Sequence, residues 1–228
     1  MLKEIISLFY PQICAGCRKP VHKSHWAICL NCRIKMPRTR FQVFDENPVL
    51  RLLEGKCDVI HAFAFYYFKA DNTVQDLMHA LKYKGVIKVG EEFGQIVGQH
   101  LSRNKRYKAI DYVIPLPLHI SKQRLRGFNQ CDSIAQSIAL KLNTKLDNNL
   151  VKRITSNESQ TTKTHFERHE NVDKIFKIKN PKIFENKSVL LIDDVITTGS
   201  TLSSLAAEFN AIPNCRVYVG TIAIATYD

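Results

Sequence analysis

The chain has 228 residues, with 33 Lys+Arg against 21 Asp+Glu and a formal net charge of +12 when histidine is counted neutral. Its 45% apolar and 24% charged residues are ordinary for a folded chain and exclude collagen, a low-complexity polymer and a disordered acidic tail. No apolar run approaches the ~20 residues of a spanning helix, so no membrane span is expected. The start, Met1-Leu2-Lys3-Glu4 and then Ile5 to Tyr10 before Pro11, does not read as a signal peptide. The expectation is a cytoplasmic, reducing location, where the seven cysteines are thiols or metal ligands.

Residues 1–56 carry ten basic and four acidic side chains, and residues 57–228 carry 23 and 17, so the first segment is far more basic for its length. Such a balance points to anionic partners, phosphate or nucleic acid, or to a solvated lysine-rich surface. Cys14-Ala-Gly-Cys17 and Cys29-Leu-Asn-Cys32 form two CxxC knuckles separated by eleven residues. Two knuckles supply four thiolates, which suits a closed tetrahedral Zn²⁺ site, structural and not catalytic. His22, His25 and Trp26 lie between them as surface or packing residues, and Pro37 to Pro48 reads as a linker. The expected division is a zinc-binding module and linker over 1–56 and a larger domain over 57–228.

Strand and helix patterns then alternate. Val59 to Phe68 is strand-like; Asn72 caps a helix through Val74, Leu77, Met78 and Leu81 that Gly85 stops. A second helix is expected from about Gly90, a short buried strand at Asp111 to Pro115, and an amphipathic helix over Asp132 to Leu142. Ser156 to Asp173 is polar and aperiodic, a long functional loop. Ser188 to Ile192 is a continuous apolar strand, Ser200 to Phe209 a helix, and Arg216 to Ala225 a last strand. Alternation with near-continuous apolar strands predicts an α/β fold with a parallel sheet flanked by helices. Cys57, Cys131 and Cys215 sit among apolar neighbours and read as small core residues.

The stretch Val189-Leu190-Leu191-Ile192-Asp193-Asp194-Val195-Ile196-Thr197-Thr198-Gly199-Ser200-Thr201 carries chemistry. A buried strand ends in two carboxylates, and a loop of small hydroxylated residues opens a helix. Backbone amides of Thr197 to Thr201 can close around a phosphate, with the hydroxyls of Thr198, Ser200 and Thr201 as further donors. The carboxylates can accept bonds from sugar hydroxyls or bind Mg²⁺ through water. The plainer alternative is a strand running into a capped helix.

This segment resembles the 5-phosphoribosyl-1-diphosphate (PRPP) motif of type I phosphoribosyltransferases. The resemblance implies that Asp193 and Asp194 hold ribose hydroxyls and Thr197, Thr198, Gly199, Ser200 and Thr201 the 5-phosphate. It places a diphosphate loop after the strand ending in Pro115 and Leu116, through Arg124-Leu125-Arg126-Gly127-Phe128-Asn129-Gln130. It also places a lid at Gln160 to Val172, with Lys163, His165 and Arg168 as phosphate contacts. With the four cysteines, Leu81 to Gly85 (LKYKG), RxRGFNQ and ERxxNV, the chain is similar across nearly its full length to the ComF family of competence proteins. That implies a type I phosphoribosyltransferase-like domain with Mg²⁺–PRPP as ligand, Arg124, Arg126 and the two aspartates in catalysis, and a link to DNA uptake.

The sequence departs from some relatives. Thr197 stands where purine phosphoribosyltransferases often carry an Asp, and Met1-Leu2 offers no N-terminal nucleophilic cysteine, so amidotransferase chemistry is not expected. With the last strand ending near Asp228, any hood over the acceptor is expected from residues near 57–72 or from the zinc module. Two functions stay open: phosphoribosyl transfer to a nitrogen acceptor, or a non-catalytic single-stranded-DNA-binding factor that uses the PRPP pocket as a regulatory site.

Overall fold

The computed structural model describes residues 11–21, 26–154 and 175–225. Helix α1 (Leu30–Lys35) follows the second cysteine knuckle, and α2 (Pro48–Leu53) starts with Pro at its first position. The Asn47 side chain caps α2 by accepting from Val49 N and Leu50 N and donates in turn to Ala62 O. Strand β1 (His61–Phe68) leads through an Asn72 cap into α3 (Thr73–Tyr83), and α4 (Ile87–Ser102) follows. Strand β2 (Tyr112–Pro115), α5 (Ile120–Arg126) and α6 (Gln130–Leu142) come next. The chain continues through short strands β3 (Lys145–Leu146), β4 (Val151–Arg153) and β5 (Phe176–Ile178). It closes on β6 (Ser188–Ile196), α7 (Ser200–Asn210) and β7 (Arg216–Ala225).

Among the described residues the main sheet has five parallel strands in the order β1-β7-β6-β2-β3, so the fold is α/β as the alternation predicts. Its central strands are buried along nearly their whole length, which is why they read as continuous apolar runs. Strands β4 and β5 form a separate antiparallel pair that the polar composition around them concealed.

Three further differences from the sequence expectations have local causes. Helix α4 begins at Ile87, three residues before Gly90, because Gly90, Gly94 and Gly98 are not boundaries but the face packed on α6. A Cβ at Gly94 would lie 2.3 Å from the Ile134 carbonyl oxygen, so only glycine lets the two backbones approach this closely. Arg124 and Arg126 lie in helix α5 and not in an open turn; the loop proper starts at Gly127, in the left-handed region at φ 75°. The Pro37 to Pro48 segment is not a free linker: Tyr67 N donates to Pro37 O at 2.9 Å and Thr39 N to Phe65 O at 3.1 Å. That segment lies along β1, an edge strand, and covers it.

Apolar residues from the cysteine module, such as Ile28 and Met36, belong to the same core cluster as Phe93, Leu190 and Ile224. A buried carboxylate adds polar bonds to this apolar contact. Glu92 of α4, 7% exposed, accepts from Ala27 N, from Ile28 N at 3.2 Å and from Arg33 Nη2 at 2.6 Å. The Arg33 guanidinium stacks 4.2 Å over the Trp26 ring.

Candidate functional site

Strand β2 feeds α5 and α6 on the way to β3, while β6 feeds α7 on the way to β7 on its other side. The chain leaves adjacent strands in opposite directions, and open parallel sheets bind ligands at the carboxyl ends of such a pair. The predicted acids stand at that point. The Leu116 N–H donates to Ile192 O and ends the β2 ladder, so Asp193 and Asp194 are flanked on that side by the first turn of α6.

Asp194, 7% exposed, accepts from Lys82 Nζ of α3 at 2.8 Å and from Gln130 Nε2 of α6 at 2.5 Å. Gln130 Oε1 accepts from Arg126 Nη1 at 2.9 Å, which ties the arginine to the acid pair. The Arg126 guanidinium lies 5.4 Å from the Tyr83 ring centroid, and its buried Nε has no hydrogen-bond partner among the described residues. Asp193 Oδ1 accepts from Asp194 N at 2.7 Å and from the Cys131 thiol at 3.5 Å. Burial, helped by the neighbouring Asp194 charge, raises the Asp193 carboxyl to about 7, against the pull of the Asp194 N–H and Lys82. Burial and the two carboxylates push the Cys131 thiol well above its ordinary range, so it stays a neutral donor.

Beyond Ile196 the chain turns through exposed Thr197 and Thr198 to Gly199, at φ 75° and ψ −2°, which precedes α7. No side chain caps this helix start in the usual sense; Thr198 Oγ1 lies 3.1 Å from Ser200 Oγ and 3.4 Å from Ser200 N. An uncapped helix N-terminus with hydroxyls around it favours an anion. A small cavity of about 40 Å³ is lined by Asp193 and Val195 to Leu202.

The other predicted site residues divide. Arg126 joins the acid pair, but Arg124 is exposed on α5 and is not drawn into that network. Pro115 has no N–H and the Leu116 N–H is spent on Ile192 O, so neither offers a backbone donor to a phosphate. Lys163, His165 and Arg168 lie outside the described residues. Lys82, Gln130 and Cys131 went unread as site residues; Lys82 and Gln130 lie inside the LKYKG and RGFNQ stretches, but nothing local says that they meet a carboxylate. A cleft of about 370 Å³ beside the site is lined by residues including Pro115, Gln123, Asn129, Lys152 and Arg153. A larger one of about 570 Å³, bordered by Leu50, Ile60 and Arg216 among others, lies at the opposite end of the sheet and touches none of the predicted acids or loop residues.

The four cysteines converge. Cys14 Sγ and Cys32 Sγ are 3.7 Å apart, Cys17 Sγ and Cys29 Sγ 3.6 Å, and all four lie within 4.8 Å of one another. A tetrahedron with Zn–S of about 2.3 Å has edges of roughly 3.8 Å, so the group can hold a metal ion such as zinc. Cys29 N points at Cys14 Sγ at 3.3 Å, and Cys32 N at Cys29 Sγ at 3.4 Å. Burial opposes ionisation of Cys14, but the N–H groups of Cys29, Cys17 and Gly16 outweigh it and bring this thiol to about 7.

No protein-family model matches the chain. Competence protein F of Haemophilus influenzae is 35% identical over 105 residues, 46% of this chain and 46% of that protein. DNA utilization protein YhgH of Salmonella typhi is 26% identical over 211 residues, covering 87% and 91% of the two chains. Competence protein ComFC of Streptococcus pneumoniae is 25% identical over 84% of this chain and 78% of its own. The chain is a homologue of these proteins. Among solved structures, a hypoxanthine phosphoribosyltransferase from Staphylococcus aureus overlaps at TM-score 0.37 and 17% identity, covering 61% of this chain and 67% of that one. An adenine phosphoribosyltransferase from Leishmania donovani overlaps at 0.32 and 17%, over 79% and 81%. Among the described residues no helix is long and apolar enough to cross a membrane.

Proposed function

We propose that this homologue of proteins named for competence and DNA utilization binds PRPP with Mg²⁺ at the β2–β6 crevice and serves DNA uptake. The observation that supports this most is the acid pair on β6 opening directly into the uncapped α7 N-terminus. In this reading residues 57–228 form the ligand-binding domain and residues 1–56 a module organised by structural Zn²⁺ on Cys14, Cys17, Cys29 and Cys32. The amides and hydroxyls of Thr197, Thr198, Gly199, Ser200 and Thr201 hold the 5-phosphate. Asp193 and Asp194 accept from the ribose hydroxyls, and Asp194 does so by exchanging its Lys82 partner.

Arg126 meets the diphosphate; Lys163 and Arg168 are kept as lid contacts and Arg124 as an outer cation. Pro115 and Leu116 shape the diphosphate turn without donating to it. Mg²⁺, when bound with PRPP, supplies charge neutralisation on the diphosphate. In a transfer, an acceptor nitrogen bonds to the anomeric carbon as the carbon–oxygen bond breaks and diphosphate departs with its electron pair. This chain's cations stabilise that departing charge, and its loop fixes the sugar's position.

Calorimetry of the full chain with Mg²⁺ and PRPP tests the binding, and pyrophosphate release across free nucleobases and single-stranded DNA tests turnover. Binding that vanishes in Asp194→Ala is the expected result; a wild-type chain that takes up no PRPP removes the reading. A second reading, a non-catalytic single-stranded-DNA binder, has one observation in its favour. Helix α5 buries none of its residues and exposes Lys122 and Arg124. It predicts salt-sensitive DNA binding that weakens in the Lys122→Glu/Arg124→Glu variant, with no pyrophosphate released from any acceptor.

A further inference from the structure

The phosphate loop is braced from outside the strand–loop–helix unit that forms it. Helix α2 packs against it: a Cβ at Gly199 would meet Leu53 Cδ2 at 3.1 Å and Leu52 O at 3.4 Å. Three residues beyond α2 the Lys56 ammonium donates to Leu52 O at 2.8 Å and to Thr198 O at 3.1 Å. These two carbonyls come from segments more than a hundred residues apart, and an exposed lysine joins them. A trans peptide sets its carbonyl and its N–H on opposite sides. Holding the Thr198 carbonyl toward Lys56 therefore directs the Gly199 N–H away from α2. Of the three ammonium donors, two are used in this bridge and one is left.

We infer that Lys56 is a positioning residue for the phosphate loop: it fixes the Thr198–Gly199 peptide so that the Gly199 N–H faces a phosphomonoester, and it adds positive charge at the loop's edge. The inference rests on the reading of Thr197 to Thr201 as a 5-phosphate site. It assigns the selection of a phosphorylated sugar to a residue that belongs, by sequence, to the segment preceding the domain.

Calorimetry and NMR on the 228-residue chain test it. Calorimetry with ribose 5-phosphate and, separately, inorganic pyrophosphate compares wild type, Lys56→Met and Lys56→Arg. Loss of one hydrogen bond of this kind is worth roughly five- to tenfold in affinity. Ribose 5-phosphate weakens by that factor in Lys56→Met and recovers in part in Lys56→Arg, while pyrophosphate binding is unchanged. The ¹⁵N–¹H shift of Gly199, followed on adding inorganic phosphate, shrinks in Lys56→Met. Wild-type affinity for ribose 5-phosphate in Lys56→Met, or an equal loss for pyrophosphate, overturns the positioning role. A wild-type Gly199 amide indifferent to phosphate, with no PRPP uptake, overturns the phosphate-site reading and this inference together.

Discussion

At the scale of single residues, the site depends on paired charge taken out of water. Lys82 is 19% exposed and Asp194 7%, so removing either partner strands the other. A fully buried pair broken in this way costs about 3–5 kcal/mol; Lys82's partial exposure and the remaining Gln130 bond reduce that to about 2 kcal/mol for Lys82→Met. Urea denaturation checks the loss, and the double variant Lys82→Met/Asp194→Asn regains most of it because no unpaired charge remains. The pair is invisible locally: Lys82 sits beside the apolar stripe of α3, and its partner is 112 residues further on. The acids and the hydroxyl loop, by contrast, are contiguous, so the motif is visible in the sequence itself.

His61 gives a second residue-scale prediction. It is buried at the start of β1, with Arg106 Nη1 3.0 Å from Nδ1 and Phe41 O 3.3 Å from Nε2; Asp45, paired to Arg106, is the other nearby charge. Burial, then the Arg106 charge, lowers its pKa from 6.5 to about 4, against a smaller upward pull from Phe41 O and Asp45. The unfolded chain therefore binds more protons between these values, and stability falls as pH drops from 6.5 toward 4. The contribution reaches ~3 kcal/mol at most. Urea midpoints at pH 7.5 and 4.5 converge more in His61→Gln than in wild type; an identical pH slope in both would count against it.

At the scale of elements, α4 holds two functional parts in place. Its glycine row lets α6 approach and so positions Gln130 against Asp194, and its Glu92 docks the cysteine module. Ala is favoured over Gly in a helix by about 1 kcal/mol, but a Gly94→Ala methyl meets backbone, and overpacking of this kind costs about 1–3 kcal/mol. Because backbone cannot rotate away as a side chain can, the second effect wins. Gly94→Ala lowers the melting temperature and weakens PRPP binding. Helix periodicity showed α4 but dated its start by the first glycine, since glycine commonly marks an end. Helix α5 buries nothing, so no apolar period marks it in the sequence.

At the scale of the molecule, the cysteine module and the crevice are joined through α3 and α4. A Cβ on Gly16, within the first knuckle, would lie 3.1 Å from Thr73 Cγ2 and 3.6 Å from Leu77 Cδ2, and Lys82 lies in the last turn of the same helix. Metal removal should therefore destabilise more than the module. Chelation exposes four additional thiols to a colorimetric titrant and lowers the melting temperature, and re-added zinc reverses both. The parallel sheet was legible because central strands must be apolar throughout. The β4–β5 pair and the covering of β1 by residues 37–39 were not, because pairing between distant segments leaves no local period. The +12 charge divides in the same way: Lys82 and Arg126 are tied to the acid pair, Lys56 braces the loop from its outer side, and Lys122 and Arg124 face solvent.

Titration of the 228-residue chain with PRPP in the presence of Mg²⁺, beside its Asp194→Ala variant, tests the central claim most directly. One site per chain in the wild type and none in the variant is the predicted result. No heat from the wild-type chain, or undiminished binding in Asp194→Ala, would contradict the placement of the ligand at the β6 acid pair.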